Sequence, residues 1–335
     1  MKTIVISGAH SHIGKTTLAR AIRDVLPGAV YVKIGTGAKK ENSLDILYPF
    51  GTAFGDIRAR HGEASFLLIE SNHILAELDP DLCIFLGGRD EKPSAALARQ
   101  KADLIRGCKA TEEKVAALAG KLGITQAKMH EICFLAGANP EPVSAIIMAG
   151  GASSRMGKNK AFLPIDGKPM IRHIHDTLLQ FCDEVIISAS KTQDPPISDA
   201  HIVVDLKPDQ GPLMGIYSSL HASSSRVNFV VACDIPTIHL PLVRRLLSWS
   251  PRYDIIVPSF KPQEYEPLFA VYTKGAVTAA RTLLDNGQRR ISGLFPLCKT
   301  KVLEISECGW YVNLNTPEDY HSFIQETRER DKQDE

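Results

Sequence analysis

Two short stretches of this chain hold the residue types that handle phosphate. The first, Ala9-His-Ser-His-Ile-Gly14-Lys15-Thr16, has the GxxxxGKS/T spacing with alanine at the first glycine position. In such a loop, successive backbone N–H groups and a helix N-terminus surround an anion. Lys15 can reach β- and γ-phosphates, and Thr16 can offer a hydroxyl to Mg²⁺. The candidate nucleotide loop is therefore Ala9, His10, Ser11, His12, Ile13, Gly14, Lys15, Thr16 and Thr17. Ala9 is a departure, because alanine resists backbone angles that glycine accepts. His10 and His12 have no further ligand near them in sequence and read as side chains beside phosphate rather than a metal pair. Glu70 ends the run Phe66-Leu-Leu-Ile69. A carboxylate there can hold magnesium, orient water or cap a turn.

The second stretch runs from Met148-Ala-Gly-Gly151 through Arg155 to Lys160. Ala149, Gly150 and Gly151 leave room for a base or phosphate to approach the backbone. Arg155 and Lys160 supply two cations for a triphosphate. Gly167-Lys168-Pro169 reads as a turn feeding the next helix.

Each loop needs a strand before it and a helix after it. Thr3–Ser7 is a β-branched strand, and Lys15–Val25 has apolar residues at helical spacing. Phe66–Ile69 and Leu82–Leu86 are further strands, and residues 111–136 read as helical behind a Thr111 cap. Gly137-Ala-Asn-Pro-Glu-Pro-Val143 has linker composition. The pattern then restarts with a strand at Ala145–Met148 and an amphipathic helix at Met170–Phe181. Strand-like runs follow at Val185–Ser188, Ile202–Val204, Phe229–Ala232, Ile255–Val257 and Leu268–Tyr272, with helical Leu242–Leu247 and Val277–Leu284 among them. Alternation of this kind predicts an α/β fold: an N-terminal P-loop NTPase-like domain with a parallel sheet, then a Rossmann-like domain. The expected boundaries are 1–137 for the first domain, 138–143 for the linker, 144–326 for the second domain and 327–335 for a frayed, charged tail.

Composition narrows the function classes. The 335 residues are 44% hydrophobic and 23% charged, which suits a folded protein of two domains. Residues 1–140 hold 18 Lys and Arg against 15 Asp and Glu, and the rest 21 against 23. Neither half is basic enough to grip nucleic acid by its phosphates. The seven cysteines form no CxxC pair and read as reduced thiols. Only five residues separate Lys2 from Gly8, too few for a signal-peptide core, and no apolar run reaches membrane-spanning length. The expected location is cytoplasmic.

Residues 145–320 resemble the molybdenum cofactor guanylyltransferases, a family of the GT-A-like nucleotidyltransferase superfamily. The resemblance rests on Met148-Ala-Gly-Gly151, Ser153-Ser-Arg-Met-Gly157, Lys160 and Gly167-Lys-Pro-Met170. It continues in Asp205, Gly211-Pro-Leu-Met-Gly215, Ala232-Cys-Asp234-Ile-Pro236, Pro267-Leu-Phe269 with Tyr272, and Asn313-Leu-Asn-Thr-Pro-Glu-Asp319. Asn159 stands where the family usually has Asp, and Ser188 where it often has Asn. The N-terminal half resembles the P-loop GTP-binding adaptor protein of the same pathway, through its loop, Val32-Lys-Ile-Gly35 and Glu70. The whole chain then reads as a fusion of two pathway proteins.

The resemblance implies transfer of GMP from GTP to the terminal phosphate of molybdenum-molybdopterin, with pyrophosphate leaving and Mg²⁺ required. It implies Arg155, Lys160 and Asp234 as catalytic residues, with Asp234 as the magnesium ligand. It places GTP against Met148, Ala149, Gly150, Gly151, Lys160, Ser188, Asp205 and Asp234. Asn313 and Asn315 hold pterin phosphate or metal, or only cap a helix. Molybdopterin-synthesis proteins, insertion proteins or apo-molybdoenzymes are the implied protein partners. The alternatives are a cytidylyltransferase or other nucleotidyltransferase, and a non-catalytic GTP-binding adaptor that delivers cofactor.

Overall fold

The computed structural model describes residues 1–11, 13–35, 46–88, 92–149, 160–165, 167–190, 200–305 and 311–334, with the side chains of residues 160 and 327–334 outside that set. The chain divides into two compact units, Met1–Glu141 and Pro142–Glu335.

The first unit contains β1 (Lys2–Gly8), α1 (Lys15–Val25), β2 (Ala29–Ile34), β3 (Ile46–Tyr48), α2 (Phe54–Arg60), β4 (Phe66–Glu70), β5 (Leu82–Leu86), α3 (Ala95–Gln100), β6 (Leu104–Ile105), α4 (Glu112–Leu122) and α5 (Gln126–Ala136). Its described strands form one parallel sheet in the order β3-β2-β4-β1-β5-β6. Both faces of the sheet are buried, which is why its central strands are continuously apolar. Ile4 and Ile6 of β1 pack with Leu18, Ile22 and Met129 on one side. Val5 packs with Ile57, Ile69 and Phe85 on the other.

The stretch 111–136, expected as one helical run, is two helices. Gly123 ends α4 with φ +68, a left-handed angle that closes the helix and turns the chain. Thr125 then caps α5 by accepting the N–H of Lys128, as Thr111 caps α4 by accepting that of Lys114.

The second unit contains β7 (Val143–Met148), β8 (Pro164–Ile165), β9 (Lys168–Pro169), α6 (Met170–Leu178), β10 (Glu184–Ala189), β11 (His201–Val204), α7 (Pro212–Ala222), β12 (Val227–Ala232), α8 (Leu240–Leu247), β13 (Ile255–Lys261), β14 (Glu264–Tyr265), β15 (Phe269–Thr273), α9 (Ala276–Asp285), β16 (Thr300–Glu304) and α10 (Pro317–Asp334). Its main sheet is mixed, in the order β11-β10-β7-β12-β15-β13-β14, with β16 beside β13. Strands β11, β10, β7 and β12 run parallel, and β15 reverses against β12. Ile146, Ile186 and Val230 of the parallel part pack under Leu213, Ile216 and Leu220 of α7.

Two expected boundaries shift. Val143, placed in the linker, is the fully buried first residue of β7. The stretch 327–335, expected as a frayed tail, is helical backbone to Asp334, as its many Glu, Arg, Lys and Gln residues favour. Among the described residues no helix is long and apolar enough to cross a membrane. Six described cysteines are free thiols, and Cys308 lies outside the described residues.

Candidate functional site

In the second unit, the C-terminal ends of four neighbouring parallel strands are tied into one edge by backbone hydrogen bonds. Cys233 N–H donates to Met148 O at 3.1 Å, Ala149 N–H to Ser188 O at 2.9 Å, and Asp205 N–H to Ala189 O at 2.9 Å. The register puts Met148 opposite both Ser188 and Ala232. Asp234, Ala149, Ser188 and Asp205 therefore stand along the edge where open α/β sheets receive ligands.

The helix α7 closes in on this edge through a glycine. A Cβ at Gly215 would lie 2.6 Å from Met148 Cε, 2.8 Å from Ser188 Oγ and 3.4 Å from Asp205 Oδ1. Three of the residues selected from sequence thus meet at a fourth that sequence gave only as the end of a motif. Helix α7 is seated by Gly211, whose φ of +76 needs glycine, and by Ser218, whose Oγ accepts Leu206 N–H at 3.0 Å. Asp205 Oδ1 is buried with no hydrogen-bond partner among the described residues. Burial pushes the Asp205 carboxyl up to about 6.

The segment 311–316 is laid alongside Asp234. Leu314 N–H donates to Asp234 O at 2.9 Å. Tyr311 packs its ring on Phe260 at 4.3 Å and donates its hydroxyl to Glu266 Oε2 at 2.5 Å. Burial and the Glu266 carboxylate push the Tyr311 hydroxyl well above the usual tyrosine range. Asn313 Oδ1 is buried with no hydrogen-bond partner among the described residues. A carboxylate oxygen and an amide oxygen are hard donors, the type a magnesium ion takes together with nucleotide phosphates. Among the described residues no group of three or more His, Cys, Asp or Glu side chains is arranged for a metal.

The two asparagines separate here. The backbone N–H groups of Asn315 and Thr316 donate to Asp319 Oδ2 at 3.0 and 2.8 Å, and Asp319 N–H returns a bond to Thr316 Oγ1 at 3.2 Å. That reciprocal pair is a capping box at the start of α10, and the backbone of Asn315 serves it. Gly150, Gly151 and Arg155 lie outside the described residues, and Lys160 is described only as the backbone start of a short 3₁₀ turn, Lys160–Phe162.

The first unit carries a separate cleft of about 660 Å³ between the 9–16 loop and the ends of β2 and β4. Gly14 takes φ +91 and starts α1, whose first turn has no acidic side chain. Lys15 Nζ donates to His10 O at 2.7 Å, folding the lysine back over the loop. Burial lowers the Lys15 ammonium below the usual lysine range, against the pull of Glu70 and with Lys33 and Lys92 adding to the lowering.

Glu70 gathers the cleft's polar groups and is not a turn cap. Its Oε2 accepts from Thr16 Oγ1 at 2.7 Å and from the Tyr31 hydroxyl at 2.5 Å, and its Oε1 pairs with Lys33 Nζ at 3.2 Å. Ala9 is fully buried, and the described non-glycine residues with positive φ are Asp209 and Gln263 only. This loop therefore does not use the glycine-only angle at its first position. The close approach falls one residue earlier, at Gly8, where a Cβ would lie 2.7 Å from Ile13 Cγ2. Ser11 and Thr17 line the cleft, Ile13 packs against the hydrophobic core beneath the loop, and His12 lies outside the described residues. Tyr31 and Lys92 were not selected from sequence, and Lys33 entered only as part of the Val32-Lys-Ile-Gly35 resemblance, without a role. The alternation of Tyr31 and Lys33 on one face of β2 was the available signal.

Residues 145–297 match the MobA-like NTP transferase domain family, a span that contains Met148, Ala149, Ser188, Asp205 and Asp234. A probable molybdenum cofactor guanylyltransferase of Pelotomaculum thermopropionicum is 34% identical over 184 residues, covering 52% of this chain and 89% of the relative. The molybdenum cofactor guanylyltransferase of Vibrio campbellii is 33% identical over 190 residues, covering 56% and 97%. The solved structure of molybdopterin-guanine dinucleotide biosynthesis protein A from Archaeoglobus fulgidus aligns with a TM-score of 0.49 at 20% identity, covering 56% of this chain and 99% of that one. With nearly the full length of such relatives matched at about a third identity, this chain is a nucleotidyltransferase and belongs to the molybdenum cofactor guanylyltransferase family.

Proposed function

We propose that the second unit transfers GMP from GTP to the terminal phosphate of molybdenum-molybdopterin, releasing pyrophosphate. The observation that carries this reading is the row of Asp234, Ala149, Ser188 and Asp205 on one strand edge, within the segment matched to the MobA-like NTP transferase domain. The barrier to such a transfer comes largely from bringing two anions together, so cations on the triphosphate lower it. Asp234 would hold Mg²⁺, which when bound polarises the α-phosphate and offsets charge on the leaving pyrophosphate. Arg155 and Lys160 bind the triphosphate. The Met148–Gly151 backbone and Ser188 border the base. Asp205 contacts the nucleotide. Asn313, next to the Leu314 whose N–H bonds the Asp234 carbonyl, has a buried amide oxygen that would join the metal or pterin phosphate, whereas the backbone of Asn315 belongs to the helix cap.

The first unit acts as a GTP-binding P-loop adaptor. Lys15 and the loop backbone take the phosphates, and Thr16 and Glu70 stand at the metal position of such loops. Its place in the pathway is delivery of cofactor toward insertion proteins or apo-molybdoenzymes.

The test is purified full-length chain with GTP, Mg²⁺ and molybdenum-loaded molybdopterin. Mass spectrometry should find the guanine dinucleotide and one pyrophosphate per product. Product with CTP in preference to GTP would move the chain to a cytidylyl activity. Absence of any dinucleotide would favour a non-catalytic adaptor.

A further inference from the structure

The cleft of the first unit already contains a cation at the place where a loop of this kind would hold a metal. Lys33 Nζ lies 3.2 Å from Glu70 Oε1 and 3.3 Å from Thr16 Oγ1. These are the carboxylate and the hydroxyl that would otherwise face a magnesium ion. The lysine is placed by the sheet, since Lys33 is paired in register with Glu70 across β2 and β4. Tyr31, on the same face of β2, fixes the other carboxylate oxygen. Glu70 is nearly fully buried while the Lys33 side chain is 40% exposed. The carboxylate is thus the fixed member of the pair and the ammonium the one able to swing toward a phosphate.

We propose that Lys33 is the resident cation of this cleft, so that nucleotide binds to the first unit without a divalent ion, and that Mg²⁺ competes with the Lys33 ammonium for Glu70 and Thr16. This rests on the reading of the cleft as a nucleotide site. The ammonium supplies one positive charge and hydrogen bonds in the same place, and a divalent ion must displace it to reach its oxygens.

The experiment uses the full chain and a fluorescent N-methylanthraniloyl GTP. Binding lost in Lys15→Ala is assigned to the first unit, which separates it from nucleotide held by the second. Excess EDTA should weaken that component by less than about threefold in the wild type and by about tenfold in Lys33→Met. Millimolar Mg²⁺ should restore the variant, and Lys33→Arg should behave as wild type. Mn²⁺ binding followed by electron paramagnetic resonance, without nucleotide, should be tighter in Lys33→Met than in wild type. Thermal unfolding of each variant shows whether the fold is kept, and the Mn²⁺ measurement compares the folded variants only. A first-unit component that vanishes equally in EDTA for wild type and Lys33→Met overturns the role of Lys33 and leaves the nucleotide site standing. No component lost in Lys15→Ala overturns both.

Discussion

Leu314 donates its backbone N–H to the backbone carbonyl of Asp234 at 2.9 Å, so the residue proposed above to hold magnesium is fixed through its main chain. Cys233 N–H on Met148 O holds the same turn from the other side. Neither bond needs the Asp234 carboxylate. Asp234→Asn should therefore keep the fold while losing the charge a hard cation requires. We expect at least about a 100-fold fall in guanylyl transfer with an unchanged melting temperature. Initial rates of pyrophosphate release across a magnesium titration check this, and a wild-type rate would remove Asp234 from the metal role.

Gly215→Ala should destabilise the second unit, although alanine in a helix interior ordinarily stabilises by about 1 kcal/mol over glycine. The new methyl group would meet Met148 Cε and Ser188 Oγ inside contact distance. Overpacking of this kind costs roughly 1–3 kcal/mol. A lower urea midpoint and a raised KM for GTP are expected, the midpoint partly relieved in Gly215→Ala/Ser188→Ala. A midpoint at or above wild type would show that α7 shifts freely from the strand edge.

Asp205 makes stability depend on pH in a defined direction. Its carboxyl rises from the ordinary 3.8 to about 6 in the folded protein because it is buried. The folded state holds this proton more tightly than the unfolded chain. Ionisation therefore costs stability that is absent below pH about 4 and complete above pH about 6. The half-exposed setting screens the cost to about 1 kcal/mol, worth about 2–4 °C in melting temperature. Asp205→Asn should melt that much higher than wild type at pH 8 and at the same temperature at pH 4. Scanning fluorimetry giving a pH-independent difference would contradict it.

Lys160→Ala should reduce transfer more than Lys158→Ala. Both are cations of one stretch, but only Lys160 falls on the family's lysine position. A lysine on a developing phosphate charge is worth about 100-fold, whereas a solvated loop lysine contributes little. Equal kcat/KM losses in the two variants would reduce both to general basic character.

Residues 142–335 expressed alone should fold and retain guanylyl transfer. The second unit closes its own core from Ile146, Val230, Leu213 and Leu220, and Arg155, Lys160 and Asp234 all lie within it. The fragment should show a single cooperative urea transition and product by mass spectrometry. A folded but inactive fragment, rescued by adding residues 1–141, would make the active site composite.

The parallel strands were legible because burial on both faces leaves continuous apolar runs such as Leu82–Leu86. Strand direction was not legible, since β15 and β12 have the same side-chain period whether they run together or opposed. The break at Gly123 was hidden because apolar residues recur at helical spacing on both sides of it. At the candidate site, Asp234 and Asp205 stood out as carboxylates just beyond strands. Gly215 did not, although a glycine inside a helix is itself a sign of close packing. Lys33 lay in the Val32-Lys-Ile-Gly35 segment but drew no role, because a lysine in a strand is ordinarily solvated and only the register with Glu70 shows where it goes.

The two units are contiguous, with no strand of the first drawn from beyond Glu141 among the described residues. During synthesis the N-terminal sheet is therefore complete before most of the second unit has been made. At about 5–20 residues per second, the remaining stretch of about 190 residues takes roughly 10–40 s to emerge. The transferase half is thus born tethered to a neighbour that has had time to fold, so the central strands of the first sheet are already paired when the strands of the second emerge.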